Sequence, residues 1–492
     1  MHTLVLCNIG NSDLRADGKR PMNPRQDGER LWQTFEQHHF ELPIIEHCLR
    51  FLLDQGQPVT RLALFYTDQP ENSQTRAPDR YGVQLRDKDT LWFARIAERY
   101  LRQRFDTRID DITLLRIEDA AGQSINPSLY DEAFDAYKYL IARVYSAKTG
   151  RCYVLMAGGI PACNTALQLH AISAYGEKCR FVYQPEGGEP FELRVGEQLL
   201  DTFRRATALE ALKRRDFATA IRNVEGLNGP DPALLHLLRY AHYRESFDFD
   251  RAQQALTEGL RAASGELRNF LGTLKPDLER LIERTDTAAL LVEIYENART
   301  TFDNGRYADF LGRVFRFQEA ALRHIVETRL GLATDLSPAK RKESLEQFVR
   351  EIEANPHLKA FLDEAKINGQ PLRYTDGPNR EVLRRLLDFA LADGRRADGS
   401  LYLNKAEQEH YGRVRSLLNS MDSLAQLRNQ SIIAHGFAGV SREALNQAYR
   451  NEAHTILDNM LNVCQLIGLT REASPFDRIA EMAGDALRRP GS

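Results

Sequence analysis

Over the first two hundred residues or so of this 492-residue chain, short apolar runs alternate with amphipathic stretches. The runs have the length and composition of buried strands, and the stretches between them have the three- and four-residue apolar spacing of helices. This alternation predicts a doubly wound, mostly parallel α/β sheet. The predicted strands are residues 3–9, 61–66, 112–117, 152–157, 179–183 and, at an edge, 191–195, and the predicted helices are residues 43–55, 88–104, 128–146 and 161–175.

Polar residues that follow these strands form the first candidate site. Ligands of a doubly wound sheet bind beyond the carboxyl ends of its strands. Two glycines before a helix let a ligand approach the backbone, and the free N–H groups of the first helical turn favour a phosphate. The sequence therefore predicts a nucleotide-type pocket, although a glycine pair also serves simply to close a tight turn. The candidate residues are Asn8, Gly10, Asn11, Ser12, Asp13, Thr67, Asp68, Gln69, Gly158, Gly159, Ile160, Pro161 and Asn164.

From about residue 199 the strand pattern gives way to helices. A short phrase with an aromatic residue at the start of a helix recurs at residues 216–220, 248–252 and 305–309, as in tandem helical hairpins. We expect an α/β domain over residues 1–198, a helical linker domain over 199–285, a helical bundle over 286–475 and a flexible tail over 476–492. The fold class is thus α/β followed by all-α.

Composition limits the chemistry and the partners. Lys and Arg total 66 against 69 Asp and Glu, a formal net charge of -3, so stable binding to DNA is not expected. The chain begins in a strand and has no membrane-length apolar run, which favours a cytoplasmic protein without a membrane contact. Its six scattered cysteines indicate reduced thiols, and no His, Cys and carboxylate cluster has metal-ligand spacing. Neither G-x-G-x-x-G nor the Walker pattern occurs, which disfavours redox and NTPase roles.

The second candidate site lies in L-R-N-Q-S-I-I-A-H-G-F, residues 427–437. Apolar positions repeat with helical spacing upstream, so residues 405–435 are predicted to form one helix that stops at Gly436. Arg428 and His435 are seven positions apart, close to two turns, and are expected to point the same way. A guanidinium and an imidazole on one face suit a phosphodiester. An exposed Arg with a His that caps a helix end would give the same spacing.

The order of these features resembles that of the CARF–HEPN ribonucleases that accompany type III CRISPR systems, over nearly the whole chain. N-I-G-N-S-D follows the first strand, G-G-I-P-A-C-N-T-A-L follows a later one, and R-N-Q-S-I-I-A-H-G lies near the C-terminus. Y-A-D-F-L-G-R-V-F-R at residues 307–316 is similar to the early HEPN helix. This chain has Ile160 where many relatives carry Thr.

The resemblance implies a Rossmann-like CARF domain that binds a cyclic oligoadenylate and thereby switches on a HEPN endoribonuclease in antiviral defence. Such an enzyme is a homodimer that cuts single-stranded RNA without a metal or other cofactor, leaving a 2′,3′-cyclic phosphate. The resemblance gives Arg428 the phosphate contact, His435 the proton transfer or hydroxyl alignment, and Asn429 a geometric role. Family prevalence slightly favours cyclic tetra-adenylate over hexa-adenylate. Whether the CARF domain also cleaves its activator, as a ring nuclease, is left open.

Three other readings stay open at the level of sequence. The first is a nucleotide-sensing regulator with a DNA-binding helical domain, although no basic helix-turn-helix stands out. The second is a HEPN toxin that a partner protein controls through the α/β domain. In the third, Arg428 and His435 are structural and the helical part is a scaffold without activity.

Overall fold

The computed structural model describes residues 2–71, 75, 84–105, 108–156, 158–334, 341–367, 369–449, 452–469 and 473–489. Two compact units divide the chain, Met1–Phe203 and Arg204–Ser492. The boundary lies a few residues beyond the predicted position 198, within the helix that spans Val195–Lys213.

A six-stranded, mostly parallel sheet forms the centre of the first unit, as the alternating pattern predicts. The predicted edge strand pairs antiparallel with its neighbour. The strands are β1 His2–Asn8, β2 Arg15–Ala16, β3 Phe40–Glu41, β4 Val59–Tyr66, β5 Ile109–Arg116, β6 Thr149–Leu155, β7 Cys179–Tyr183 and β8 Phe191–Leu193, of which β2 and β3 pair separately. In the main sheet the order is β5-β4-β1-β6-β7-β8. Chain direction across the sheet reverses between β1 and β6, so the ligand crevice of such a fold is expected beyond these two strands.

Helices cover both faces of this sheet. They are α1 Pro24–Gln33, α2 Ile45–Asp54, α3 Leu91–Phe105, α4 Tyr130–Val144 and α5 Pro161–Tyr175. One buried cluster joins one face of the sheet to α1, α2 and α3, and a second joins the opposite face to α4 and α5. Because both faces are covered, β1 is buried along nearly its whole length. The predicted doubly wound architecture of this unit is confirmed.

Helix α1 was not among the predicted helices, because its sequence is largely polar. Its start is nevertheless well marked. The Asn23 side chain accepts a hydrogen bond from the Gln26 N–H, and Pro24 occupies the first turn.

The second unit is almost entirely helical in its described part. Its elements, beginning with the helix that crosses the boundary, are α6 Val195–Lys213, α7 Phe217–Glu225, α8 Pro232–Glu245, α9 Phe249–Ala262, α10 Gly265–Ile282, α11 Thr287–Asp303, α12 Tyr307–Ile325, α13 Arg341–Glu353, α14 Pro356–Glu364, α15 Arg380–Leu391, α16 Lys405–Ser420, α17 Ala425–Gln430, α18 Arg442–Ala448, α19 Thr455–Leu466 and α20 Pro475–Arg488, with the short strands β9 Lys366–Ile367 and β10 Gln370–Pro371.

The recurring phrase in the sequence corresponds to one repeated helix–turn–helix connection. Each connection has a residue with positive φ two positions before the next helix: Arg215, Phe247 and Gly305. The residue between it and the helix donates its N–H to the carbonyl five positions earlier. These hydrogen bonds join residue 216 to 211, 248 to 243 and 306 to 301, at 2.8–2.9 Å. A left-handed residue closes one helix, and the next begins at once.

Two apolar clusters organise the helical unit. One combines α6 to α10 with α20, and the other combines α11 to α19. Helix α20 places Phe476, Ile479, Ala483 and Leu487 in the first cluster, so most of the predicted flexible tail is a packed helix and that prediction is wrong. The sequence does contain a signal for this helix, because an apolar residue occurs at every third or fourth position of the segment. The predicted division at residue 285 stays a prediction within this unit.

A buried ion pair joins α8 to α11. Arg244 Nε and Nη2 each donate to a carboxylate oxygen of Glu293 at 2.7 Å, and Nη1 donates to the Tyr240 hydroxyl at 2.8 Å. The ring of Phe476 lies 5.6 Å from the guanidinium carbon. Both charged side chains are almost completely buried, so each depends on the other to remain charged in the interior.

Removing one member of this pair should strongly destabilise the helical unit. Arg244→Met leaves the Glu293 carboxylate buried without its partner, which costs about 3–5 kcal/mol. Arg413→Met is the matched control, because its pair with Glu409 lies in solvent and contributes little. Denaturant unfolding of the two variants measures the difference. Equal stability of the two variants would contradict the structural role of the buried pair.

Candidate functional site

The loops after β1 and β6 meet at the predicted crevice. Asn8 Nδ2 donates to Asn164 Oδ1 at 2.7 Å, and Asn164 Nδ2 donates to the Gly158 carbonyl at 2.7 Å. The Tyr137 hydroxyl donates to Asn8 Oδ1. Asn8 is almost completely buried, so its amide joins β1 to α4 and α5 through side-chain hydrogen bonds.

Glycines allow these two loops to touch. A Cβ at Gly10 would lie 2.1 Å from the Gly159 nitrogen, and one at Gly159 would lie 2.7 Å from the Asn8 Cβ. Gly158 and Gly159 also have φ values of 79° and 77°, a backbone conformation that residues with a side chain rarely adopt. The glycine pair therefore serves a tight turn, and it also lets a second loop approach the backbone.

Asp13 fills the space beside Gly158. Its Oδ2 accepts the Gly10 N–H at 2.6 Å, whereas Oδ1 has no hydrogen-bond partner among the described residues. Burial raises the pKa of Asp13 to about 7, and the Gly10 hydrogen bond and the charge of Arg20 only partly offset that increase. The carboxyl group is an interior contact between the two loops and is nearly inaccessible to solvent.

The loop after β4 is fastened to α1 and to the start of α3. Thr67 and Thr90 exchange backbone N–H to hydroxyl hydrogen bonds at 3.1 Å in both directions. Arg25 Nη2 donates to Asp68 Oδ1 at 2.5 Å and to Asp89 Oδ2 at 2.9 Å. The Gln69 N–H also donates to Asp89. Arg25 and Asp89 thus hold this loop, and the sequence analysis missed both because they lie outside the strand ends.

The predicted residues of the first unit therefore fall into two groups. Asn8, Gly10, Asp13, Gly158, Gly159 and Asn164 contact one another, and Thr67, Asp68 and Gln69 belong to a neighbouring loop that is held separately. Ser12 and Pro161 are exposed, while Asn11 and Ile160 are partly exposed. The exposed Arg20 donates from Nε to the Asn11 carbonyl at 3.1 Å, which adds a cation to this edge that the sequence analysis did not select.

The second candidate site differs from its prediction in backbone shape. Helix α17 ends at Gln430, and Ser431 is extended with φ -92° and ψ 169°. The buried Ser431 donates from its N–H and its hydroxyl to the Arg428 carbonyl at 3.1 and 2.8 Å. The prediction that Arg428 and His435 share one helix is wrong. A serine that bonds the preceding turn, followed by the β-branched Ile432 and Ile433, favours the end of the helix.

Residues 431–438, here called the His435 loop, fold back onto the end of α17. The Ala438 N–H donates to the Gln430 carbonyl at 2.8 Å, and the Gly436 N–H donates to the Ser431 carbonyl at 3.2 Å. A Cβ at Gly436 would lie 2.0 Å from the Gln430 oxygen. Glycine is needed there for close approach of two backbone segments, and not as a left-handed helix stop.

Contacts within the chain fix the position of the Arg428 guanidinium. Its Nε and Nη2 donate to Asn429 Oδ1 at 3.1 and 2.8 Å, and its guanidinium lies over the Phe315 ring at 4.4 Å. Partial burial and the charge of Arg380 lower the pKa of Arg428. An anion bound here would relieve the repulsion between these two cations.

Two further arginines from α15 lie in this region, and the sequence analysis did not select them. Arg380 lies 5.7 Å from the Phe315 ring centre and pairs with Asp422 at 3.2 Å. Arg384 pairs with the other oxygen of Asp422 at 3.0 Å. Arg380 also pairs with Glu381 at 3.1 Å. Arg428, whose side chain bonds only the neutral Asn429 among the described residues, is therefore the cation of this group that is open to an anion.

His435 is exposed, and its ring makes no hydrogen bond or ion pair with any part of the chain that the structure describes. The apolar side chains beside it in the His435 loop are also in solvent: Ile432 is 71% exposed and Phe437 is 95% exposed. Ile433 instead faces α12, where it lies next to Gly312. The loop therefore presents an imidazole among uncovered apolar side chains.

The described residues contain neither a metal-binding cluster nor a membrane-length helix. No group of three or more His, Cys, Asp or Glu side chains there has the arrangement of a metal site. Among the helices of the same residues, none is long and apolar enough to cross a membrane. All six cysteines are buried and free, as the sequence predicts.

Comparisons with solved structures give distant likenesses. No protein-family profile matches the sequence, and no curated protein matches it. Among solved structures, the chain is similar to Enterococcus italicus Csm6 bound to cyclic hexa-2′-fluoro-hexa-dAMP, with 13% identity, 99% of each chain covered and a TM-score of 0.42. A likeness this distant does not by itself establish a shared fold or activity.

Asp13 should make the stability of the first unit depend on pH. The folded protein keeps the Asp13 proton up to about pH 7, whereas an unfolded chain releases it near pH 4. Stability is therefore expected to fall as pH rises through this window and to level off above it, by about 1.4 kcal/mol for each unit of pKa difference.

Asp13→Asn keeps an oxygen for the Gly10 N–H and removes the charge, so the variant should lose this dependence and be more stable than the parent protein above pH 7. Thermal unfolding of the first unit at several pH values measures the effect. Asp54→Asn, at an exposed position, is the control. If Asp13→Asn kept the parent slope, the buried carboxyl would not be its source.

Proposed function

We propose that this chain is a cyclic-oligoadenylate-activated, metal-independent endoribonuclease of the CARF–HEPN kind that acts in type III CRISPR defence. The N-terminal unit binds the activator, and the C-terminal unit cuts single-stranded RNA. The observation that carries the proposal is the Arg428–His435 segment: a guanidinium fixed on Phe315 and tied to Asn429, next to an exposed and unengaged imidazole.

The chemistry needs only groups of these types, because RNA supplies its own nucleophile. The 2′-oxygen forms a bond to phosphorus while the bond from phosphorus to the 5′-oxygen breaks. The 2′-hydroxyl gives up its proton, and the leaving 5′-oxygen takes one, which yields a 2′,3′-cyclic phosphate and a 5′-hydroxyl. His435 moves a proton or aligns the hydroxyl, because an imidazole titrates near neutral pH.

Arg428 binds the scissile phosphate and stabilises the additional negative charge of the transition state. Because Phe315 and Asn429 already fix its guanidinium, little reorganisation is required when the phosphate arrives. Asn429 keeps both amide hydrogens available for a phosphate oxygen or for the sugar, since its oxygen accepts the hydrogen bonds from Arg428.

One Arg–His pair is a small catalytic set, and a second copy of the chain would double it. The exposed Ile432 and Phe437 support a self-complementary contact at the His435 loop, since burying such side chains favours association. We propose a homodimer in which two His435 loops form one RNA-cleaving groove. Two sets of arginines then provide the local positive charge that the overall composition lacks.

The activator site is proposed at the sheet edge between β1 and β6. Asn8, Asp13 and Thr67 hold the loops from the inside, whereas Asn11, Ser12 and Arg20 remain available to a phosphate or a ribose. The first turn of α5 adds backbone N–H groups beside Pro161. Cyclic tetra-adenylate stays slightly favoured over hexa-adenylate, and cleavage of the ring at this site is a further activity to be tested with both.

The experiment that tests the proposal is a cleavage assay on single-stranded RNA in EDTA, with cyclic tetra- and hexa-adenylate added separately. His435→Ala should lower the activated rate by about 10²–10⁴-fold, because a general acid or base contributes that much. Binding of the cyclic oligoadenylate should not change. His454→Ala, also exposed, is the control and should stay active. An active His435→Ala variant would overturn the assignment of this residue.

A second experiment tests the proposed dimer contact. Phe437→Ser removes an aromatic side chain whose burial contributes about 1.5–3 kcal/mol. Because a homodimer loses two of them, the dimer dissociation constant should rise by about 10²–10⁴-fold. Sedimentation velocity at several concentrations measures it. Leu401→Ser, in the same unit and 39% exposed, is the control. Unchanged association of Phe437→Ser would place the dimer contact elsewhere.

A further inference from the structure

Helix α12 contributes to the Arg428–His435 site and to a neighbouring cavity. Phe315 lies under the Arg428 guanidinium. Gly312, which lies next to Ile433, lines a cavity of about 680 Å³ together with Arg313 and Arg316. The same helix therefore supports the proposed catalytic groups and forms one wall of a space large enough for a small organic ligand.

The cavity has an apolar wall and a charged rim. Leu290 and Ile294 of α11, Ala320 of α12 and Ile433 of the His435 loop contribute apolar surface. Ile433 is two positions from His435, so the cavity and the exposed imidazole share one short loop. A flat base could lie against this wall without specific hydrogen bonds.

Most cations on the rim already have partners. Arg316 pairs with Glu319 at 3.0 Å, Arg323 with Glu319 at 3.1 Å, and Arg284 with Asp250 at 3.5 Å. The lining carries four arginines and four carboxylates, the latter being Glu283, Asp309, Glu319 and Glu327. The cavity therefore has no excess positive charge to attract a long polyanion.

Arg313 differs from these arginines because it forms no ion pair with any residue that the structure describes. Its Nε donates to Asn297 Oδ1 at 2.6 Å, which fixes the guanidinium, and its two terminal nitrogens make no hydrogen bond to the same residues. Burial lowers the pKa of Arg313. The Phe247 ring centre lies 5.9 Å from this guanidinium, and the charges of Asp309 and Glu245 partly offset the effect of burial. One phosphate would satisfy the two terminal nitrogens with two parallel hydrogen bonds.

We propose that this cavity is a nucleotide subsite for the RNA substrate. Arg313 binds a backbone phosphate next to the scissile one, and the base of that nucleotide lies against Leu290, Ile294, Ala320 and Ile433. The inference rests on the proposed ribonuclease function and adds to it a residue that positions the substrate. The two terminal nitrogens of Arg313 match one phosphate, and the apolar wall would hold a base without a sequence-specific contact.

The test measures RNA binding by the full-length His435→Ala protein, which cannot cut its ligand, using fluorescence anisotropy of a labelled oligonucleotide. Adding Arg313→Met should weaken binding about tenfold. It should also reduce the slope of log K against log salt by about 0.7, the value for one phosphate contact on a single strand. Arg316→Met is the matched control, because that exposed arginine already pairs with Glu319, and its slope should not change.

Two further variants distinguish the loss of the Arg313–phosphate contact from misfolding of the variant protein. Arg313→Lys keeps a positive charge and should restore most of the salt slope. Ala320→Trp fills the cavity without changing charge, and should weaken binding while the phosphate slope stays intact. In the cleavage assay with activator, Arg313→Met alone should raise KM more than it lowers kcat.

The inference is overturned if Arg313→Met binds RNA with the affinity and salt slope of Arg316→Met, while the parent protein cuts RNA normally. A parent protein that neither binds nor cuts RNA overturns the proposed function as well, so the two failures are distinguishable. If both Arg313 variants are unfolded at the assay temperature, Ala320→Trp becomes the test. Unchanged RNA binding by a folded Ala320→Trp protein overturns the inference.

Discussion

The missing side chain at Gly436 is the constraint on which the proposed catalytic site depends. A Cβ there would overlap the Gln430 carbonyl, so only glycine lets the His435 loop return to the end of α17. The loop then directs Ile433 towards α12 and leaves His435 outside. The first unit uses the same device, because Gly10, Gly158 and Gly159 let two loops pack backbone to backbone at the edge of the sheet. In both units, side chains that carry charge or polarity are positioned by backbone contacts.

Electrostatics in the second unit are local. The chain is almost neutral, yet Arg380 and Arg428 both lie close to the Phe315 ring. Arg380 and Arg384 share the Asp422 carboxylate. Partial burial, and to a smaller extent the charge of Arg380, lower the pKa of Arg428, which favours binding of an anion there. Arg313 of α12 is likewise fixed, by Asn297, and its terminal nitrogens make no hydrogen bond within the described part of the chain.

Rigid helical packing supports these arrangements. The repeated connection at residues 215, 247 and 305 sets each hairpin with the same backbone hydrogen bond, and the buried Arg244–Glu293 pair joins α8 to α11. Helix α11 then packs against α12, which carries Phe315, Gly312 and Arg313. A helix that is fixed from one side can present different residues on its other faces to two sites.

The sequence by itself determined the alternating sheet, the helical second half and the burial of the cysteines, and it selected the Arg428–His435 segment as a candidate site. Hydrophobic period and glycine placement carry that information, because both act over a few neighbouring residues. Helix α1 escaped notice because its apolar positions are few, and α20 was taken for a tail because its end is polar. The shape of the His435 loop, the cations around Phe315 and the free donors of Arg313 were decided only by tertiary structure. Each of these depends on residues far apart in the chain, and no local pattern records which of them meet.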